Sequence, residues 1–274
     1  MTSGSRPAAV AGYFYPDDPA TLAAMVDRLL DEAGERAARA APAPVPKAMI
    51  VPHAGYIYSG PVAASAYVRL RGARGIERVV LVGPAHRVAV GGVAQAGATS
   101  FATPLGEIAV DNQAFATVPQ VVTSPRAHAQ EHSLEVQLPF LQRLLPAARI
   151  VPMVVGHASP DEVSGVLDAL WGGPETLILI SSDLSHYLGY EAARAIDAQT
   201  ASRVTELDDE LDAERACGVT GIRALVRLAR RRHLQAELLD LRNSGDTAGD
   251  RARVVGYAAF AFQTQAEGAH ARRS

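Results

Sequence analysis

The chain has 274 residues and a formal net charge of −3, with 48% hydrophobic and 20% charged residues. That supplies a full apolar core and no basic excess of the kind nucleic-acid binding needs. Its one cysteine, Cys217, rules out an intrachain disulfide and suits a reducing compartment. Met1 to Ala11 holds no apolar stretch of signal-peptide length, and no run nears the roughly 18 apolar residues of a membrane span. The expectation is a soluble, cytoplasmic protein with no membrane or nucleic-acid partner.

Thr21 to Ala41 predicts an amphipathic helix with Leu22, Met25, Val26, Leu29 and Leu30 on one side. Ala41-Pro-Ala-Pro-Val-Pro46 breaks it and leads to a short strand, Lys47 to Val51. Apolar runs at Arg78–Val82, Arg149–Val155 and Thr176–Ile180 have the length of strands buried on both faces. Pro61–Arg71, Glu131–Leu145, Pro160–Leu170 and Tyr190–Leu207 read as helices between them. Thr220–Arg231 reads as one more, and Arg230-Arg231-Arg232 at its end suits the helix dipole as a solvated face. A last strand is expected over Arg253–Gln263, with Ala266–Ser274 fraying beyond it. This alternation predicts an α/β fold: a mostly parallel central sheet with helices on both faces. No linker or repeat divides residues 1–274, which read as a single domain.

The histidines fall in an informative place. Val51-Pro52 ends a strand just before His53-Ala-Gly-Tyr56, and Val79–Val82 ends another before Gly83-Pro-Ala-His86. Leu177–Ile180 ends a third before Ser181-Ser-Asp-Leu-Ser-His186. Ligands of open α/β sheets bind beyond the carboxyl ends of the strands, so three such histidines point to one shared pocket. A single histidine after a strand is more often a hydrogen-bonded loop residue, and His157 is read that way. His128, His233 and His270 have no such context.

Other readings carry less. His128-Ala-Gln-Glu-His132 matches the H-x-x-E-H pattern of one zinc-protease class, but Pro125 delays the expected helix start to near Glu131 and leaves His128 in a loop. Asp183, Ser185 and His186 are sequence neighbours, which does not make a triad, and no G-x-S-x-G elbow occurs. Cys217 reads equally as a small buried hydrophobe or as a thiol whose pKa is lowered at a helix N-terminus, favouring thiolate. Tyr56 and Tyr58 either shape a pocket wall or pack beside a glycine turn.

Taken together, several segments resemble one family in chain order. They are Arg6-Pro-Ala-Ala-Val-Ala-Gly-Tyr-Phe-Tyr-Pro16, Val51-Pro-His-Ala-Gly-Tyr-Ile-Tyr-Ser-Gly60, Gly83-Pro-Ala-His86 and Glu131-His-Ser-Leu-Glu-Val-Gln-Leu-Pro-Phe-Leu141. Ser181-Ser-Asp-Leu-Ser-His-Tyr187, Cys217-Gly218, Asn243-Ser-Gly-Asp246 and Val255-Gly-Tyr257 complete the set. On these motifs the chain resembles the Memo-like proteins, also called protein B of the AmmeMemoRadiSam system.

The resemblance implies a fold similar to class III extradiol dioxygenases, which hold non-haem iron(II) with two histidines and a carboxylate. In the Memo family the corresponding set looks like two histidines and a cysteine. Carried over by motif, the metal ligands are His53, His86 and Cys217, with iron(II) or copper as the ion. Asp183, His186 and His132 become catalytic candidates at the same pocket, with His186 as general acid/base, and Tyr56 and Tyr58 line it for substrate. Thiolate is softer than carboxylate, which admits copper(I) and makes extradiol cleavage itself uncertain. Two functions follow as expectations. One is a dioxygenase-like oxidoreductase. The other is a non-catalytic module that binds a small molecule or peptide, as the family's link to receptor signalling in animals implies, or works beside radical-SAM system proteins. Either requires His53, His86 and Cys217 to converge in the fold.

Overall fold

The computed structural model describes residues 3–38 and 43–264. In chain order the elements are β1 (Ser3–Arg6), α1 (Pro19–Ala37), β2 (Ala48–Val51), α2 (Tyr56–Tyr67), β3 (Arg78–Pro84), β4 (Val93–Gln95), β5 (Ala98–Thr103), β6 (Gly106–Ala109), β7 (Val122–Thr123) and α3 (Pro125–Ala129). They continue with α4 (Leu138–Leu144), β8 (Arg149–Val155), α5 (Pro160–Ala169), β9 (Thr176–Ser181), β10 (His186–Leu188), α6 (Tyr190–Thr205), α7 (Val219–Arg231), β11 (Leu234–Asn243), α8 (Ser244–Thr247) and β12 (Val254–Thr264).

The heart of the main sheet is four parallel strands in the order β2-β9-β3-β8. From the second residue of β3 and β8 onward these strands are wholly buried, as are β2 and β9, because helices cover both faces. Helices α1, α2 and α4 pack together as one layer, while α5 and α7 pack on each other, and α7 meets β9 and β3. Among the described residues a second, three-stranded sheet pairs β1, β5 and β6.

Local chemistry explains where the helices start. Asp18 accepts a hydrogen bond from Thr21 N at 2.8 Å and Pro19 takes the first turn of α1, so Leu22, Val26, Leu29, Leu30 and Ala33 form the buried stripe. Ser159 and Glu162 form a reciprocal capping box at α5. Helices α1 and α2 approach closely at Gly60, where a Cβ would lie 2.9 Å from a Leu29 methyl.

The structure corrects several expectations. The sheet is parallel at its centre and antiparallel at its margins, since β12 pairs antiparallel with β2, β10 and β11, and β4 pairs antiparallel with β8. Strand β11 escaped the sequence reading because a register shift between Leu238 and Asp240 breaks its two-residue alternation. The expected helix Glu131–Leu145 is divided. Glu131 turns its own carboxylate onto the N–H groups of His132 and Ser133, each at 2.9 Å, which takes those donors from a helix. Regular α-helix resumes at Leu138 with Pro139 in its first turn. Upstream, Pro125 starts a short helix rather than delaying one, and His128 lies in it. Helix α2 begins at Tyr56 instead of Pro61, which sits inside it. The end of the first expected helix, at residues 39–41, and the segment Ala266–Ser274 lie outside the described residues. Among the described residues no helix is long and apolar enough to cross a membrane.

One buried ion pair fastens the N-terminal segment to the core. Arg6 and Glu135 are 6% and 0% exposed, and the guanidinium donates to the carboxylate and to the carbonyls of His128 and Glu131. Glu135 also accepts from the backbone of Ala9 and Val10 and from the Tyr15 hydroxyl, at 2.8, 3.0 and 2.5 Å. This brings Phe14 against the His132 ring, with centroids 4.7 Å apart. Removing one partner strands the other charge in the interior, so Arg6→Met is expected to destabilise the protein by about 3–5 kcal/mol. Urea unfolding measures this, and a midpoint equal to wild type would refute it.

Candidate metal centre

The pocket arises where three parallel neighbours end. In register, Val51 of β2 stands beside Ser181 of β9, and Ile180 beside Val82 of β3. The residues that follow, His53, Asp183 and His86, therefore emerge side by side at the carboxyl edge of the sheet. Cys217 arrives from the loop before α7, whose helix packs on β9 and β3. The glycine after it permits this approach: a Cβ on Gly218 would fall 2.7 Å from Ser182 Cβ and 2.9 Å from the Ser181 carbonyl.

His53, His86 and Cys217 each place one ligand atom within 4.8 Å of the other two. The Cys217 Sγ to His53 Nε2 distance is 3.3 Å. Small side-chain adjustments close such a set onto one ion at the roughly 2.0–2.3 Å of metal–nitrogen and metal–sulfur bonds. Two imidazoles and a thiol suit iron, copper or zinc by donor type.

Both imidazoles are oriented from behind. The Ser181 hydroxyl donates to the Ser133 carbonyl at 2.6 Å, and so has no proton left for His53. It accepts from Gln137 Nε2 and lies 2.9 Å from His53 Nδ1, so Nδ1 carries the proton and Nε2 presents its lone pair towards Cys217. Gln137 is held in turn by the Tyr67 hydroxyl at 2.7 Å and by the Pro52 carbonyl at 2.9 Å. His86 Nδ1 lies 2.9 Å from Glu131 Oε1, and the His86 backbone N–H donates to Oε2 at 2.5 Å. A carboxylate–histidine pair of this kind leaves the second ring nitrogen free for a metal.

Electrostatics favour neutral His53 and His132 rings and a protonated thiol in the metal-free protein. Burial, and then the neighbouring rings of His132 and His86, hold His53 well below its ordinary pKa. Burial likewise lowers His132 to about 4. Burial works against ionising Glu131, but its bonds from the His86 ring and from the backbone of Ser133 and His86 outweigh that and bring it to about 2. Burial raises Asp183 to about 7 against the N–H bond from His53, at 2.7 Å. Of the two sequence readings of Cys217, the structure overturns the lowered thiol pKa. Burial first, and the Asp183 carboxylate second, push the thiol up to about 12, so desolvation overrides the helix N-terminus.

The remaining candidates divide. His132 stacks on His86 with centroids 4.7 Å apart and stands edge-on to His53 at 5.4 Å, and its buried Nδ1 lies 3.3 Å from Glu131 Oε1 without a well-aligned hydrogen bond. Asp183 is buried and holds the His53 backbone. His186 is exposed on β10, at the rim but close enough to His53 and His86 that a charge on one ring opposes charge on the others. Tyr58 is part-exposed on the first turn of α2. Tyr56 faces the core instead: it is 2% exposed, packs on Tyr15 and Phe140, and donates its hydroxyl to the Val136 carbonyl at 2.8 Å. Glu131, Ser181, Gln137 and Phe14 were not singled out from sequence. For Glu131 and Gln137 the signal was the polar character of the run Glu131 to Gln137 within an expected helix.

If Ser181 sets the His53 tautomer, Ser181→Ala lowers metal affinity roughly 10- to 100-fold with an unchanged circular dichroism spectrum. Ring-nitrogen NMR of the metal-free variant is expected to show both His53 tautomers, whereas a single Nδ1–H form would refute the assignment.

The family described as Memo-like protein matches residues 6–261. A "MEMO1 family protein" of Metallosphaera sedula is 34% identical over 94% of this chain and 99% of its own length. One from Archaeoglobus fulgidus is 34% identical over 93% and 98%, and one from Aquifex aeolicus 35% over 94% and 98%. By near full-length similarity on the strands and loops that build this pocket, the chain belongs to the Memo family.

Proposed function

We propose that His53, His86 and Cys217 hold one iron(II) or copper ion and that the chain is a metal-dependent redox protein related to the extradiol dioxygenases. The observation that carries this reading is the orientation of two imidazoles, the buried His53 and the more exposed His86, each with Nδ1 engaged from behind, around a single thiol 3.3 Å from one of them. A satisfied core would not need two imidazoles converging on a thiol with pKa about 12.

The bound ion supplies a one-electron couple and an open coordination position for a small ligand. The protein's own part is positioning and proton handling. Asp183 holds the His53 backbone and Cys217 N–H, the latter through its carbonyl at 3.3 Å. His132, stacked on His86, offers a ring nitrogen to a substrate beside the ion, and His186 at the rim exchanges protons with solvent. A cavity of ≈ 60 Å³ adjoins Cys217, lined by Gly83, Ile180, Thr220 and Gly221 among others.

A second reading has its own support. Tyr13, Ile57 and Tyr187 are 89%, 59% and 63% exposed, and they neighbour Phe14, Tyr58 and His186 in the chain. Exposed apolar side chains of this kind suit a binding module for a peptide or small molecule, acting with radical-SAM system partners, without turnover.

Anaerobic purification followed by elemental analysis tests the first reading. About one equivalent of iron or copper in wild type, lost in Cys217→Ser, is the expected result. No metal in either protein, with none taken up on addition, would overturn it and favour the binding module. The thiol's high pKa adds a second expectation. Metal binding must release the Cys217 proton, so apparent affinity rises about tenfold per pH unit between pH 7 and 9. Calorimetry in buffers of different ionisation enthalpy detects the released proton, and pH-independent affinity would exclude thiolate ligation.

A further inference from the structure

The SSDLSH and VGY motifs meet at a point that the metal ligands do not account for. Ser185, the residue before His186, is gripped from two sides. Its N–H and its hydroxyl donate to the two carboxylate oxygens of Asp197 on α6, each at 3.1 Å. Its carbonyl accepts from Gly256 N at 2.8 Å, and Leu184 N donates to the Gly256 carbonyl at 2.8 Å.

Asp197 is 2% exposed, and both donors it receives from Ser185 are neutral. A buried carboxylate served this way is costly to keep, and burial raises its pKa. Gly256 makes room for it: a Cβ there would fall 1.9 Å from Asp197 Oδ2, so a larger residue would expel the carboxylate. On the other side of His186, Tyr187 takes the left-handed conformation with φ 59°, a strained choice for an aromatic residue. The pairing of β10 with β12 also shifts register between His186 and Leu188. The rim histidine thus stands between a clamped serine and a strained turn.

We propose that Asp197 is a positioning residue which, with Gly256, clamps Ser185 and so fixes the direction of the His186 imidazole over the metal pocket. Asp197 acts through Ser185 and touches no reacting atom. The inference rests on the reading of His186 as the proton-exchanging group at the rim. It accounts for a side chain with two acceptor atoms at this buried point, one taking the Ser185 N–H and the other its hydroxyl. It also accounts for the glycine of the VGY motif.

Metal-free wild type, Asp197→Ala, Ser185→Ala and the double variant are compared by amide hydrogen exchange and by NMR of histidine ring nitrogens. Exchange across residues 184–188 is expected to quicken about 10- to 100-fold in each single variant. The double variant should exchange no faster than Asp197→Ala alone. His186 ring signals should broaden or double, while strands β2, β3 and β9 keep wild-type protection. Unchanged protection at 184–188, additive effects, or loosening spread evenly through the sheet would overturn the clamp. Should Asp197→Ala fail to fold, Ser185→Ala, which loses one hydroxyl, decides the matter through the same loop amides and ring signals. Titration of wild type with iron(II) and, separately, copper(I) distinguishes the two claims. Wild type that takes up neither metal refutes the metal reading and leaves the clamp to the exchange data, whereas metal uptake with an unmoved loop in the variants refutes the clamp alone.

Discussion

Because β2, β9 and β3 run parallel and in register, the chain leaves all three at the same edge of the sheet and on the same side of the molecule. Everything in the pocket follows from that alignment. A shift of one residue in any of the three strands would turn its following residues to the opposite face and carry His53, Ser181 or His86 out of reach of the others. The apolar residues of these strands, buried on both faces, hold the register, so the stability of the core and the geometry of the candidate metal centre have one origin.

Around that edge the structure spends buried polar groups freely, and nearly every one has a partner. Glu131 takes four donors, from the backbone of His86, His132 and Ser133 and from the His86 ring. Ser181, Gln137 and Tyr67 form a chain that ends on His53. Fully satisfied networks of this kind are rigid, since losing any member leaves another unpaired in a low-dielectric interior. That rigidity suits a site whose ring tautomers matter. The buried Nδ1 of His132 makes no well-aligned hydrogen bond and faces the Glu131 carboxylate at 3.3 Å.

The thiol shows how two sequence-level rules compete. Cys217 does precede a helix, and helix N-termini favour thiolate. Yet burial and the Asp183 carboxylate beside it raise the pKa instead. Under the proposed ligation an ion would supply the positive charge that the helix end alone does not, and its uptake would release the thiol proton.

Much of this was legible in the chain itself. Continuous apolar runs marked β2, β3, β8 and β9 within a residue or two, because strands buried on both faces need apolar residues at every position. Strand ends followed by histidine placed His53 and His86, because ligand sites of α/β sheets lie at that edge. The tertiary structure decided what depends on partners remote in sequence. The direction of β12 at the sheet margin, the core burial of Tyr56, the division of the helix expected over 131–145 and the thiol's high pKa all arise from such neighbours. So does the clamp of Ser185 by Asp197 and Gly256, three residues spread over 72 positions in numbering. Local pattern reports which face of an element is buried; it carries no term for what another element brings to that face.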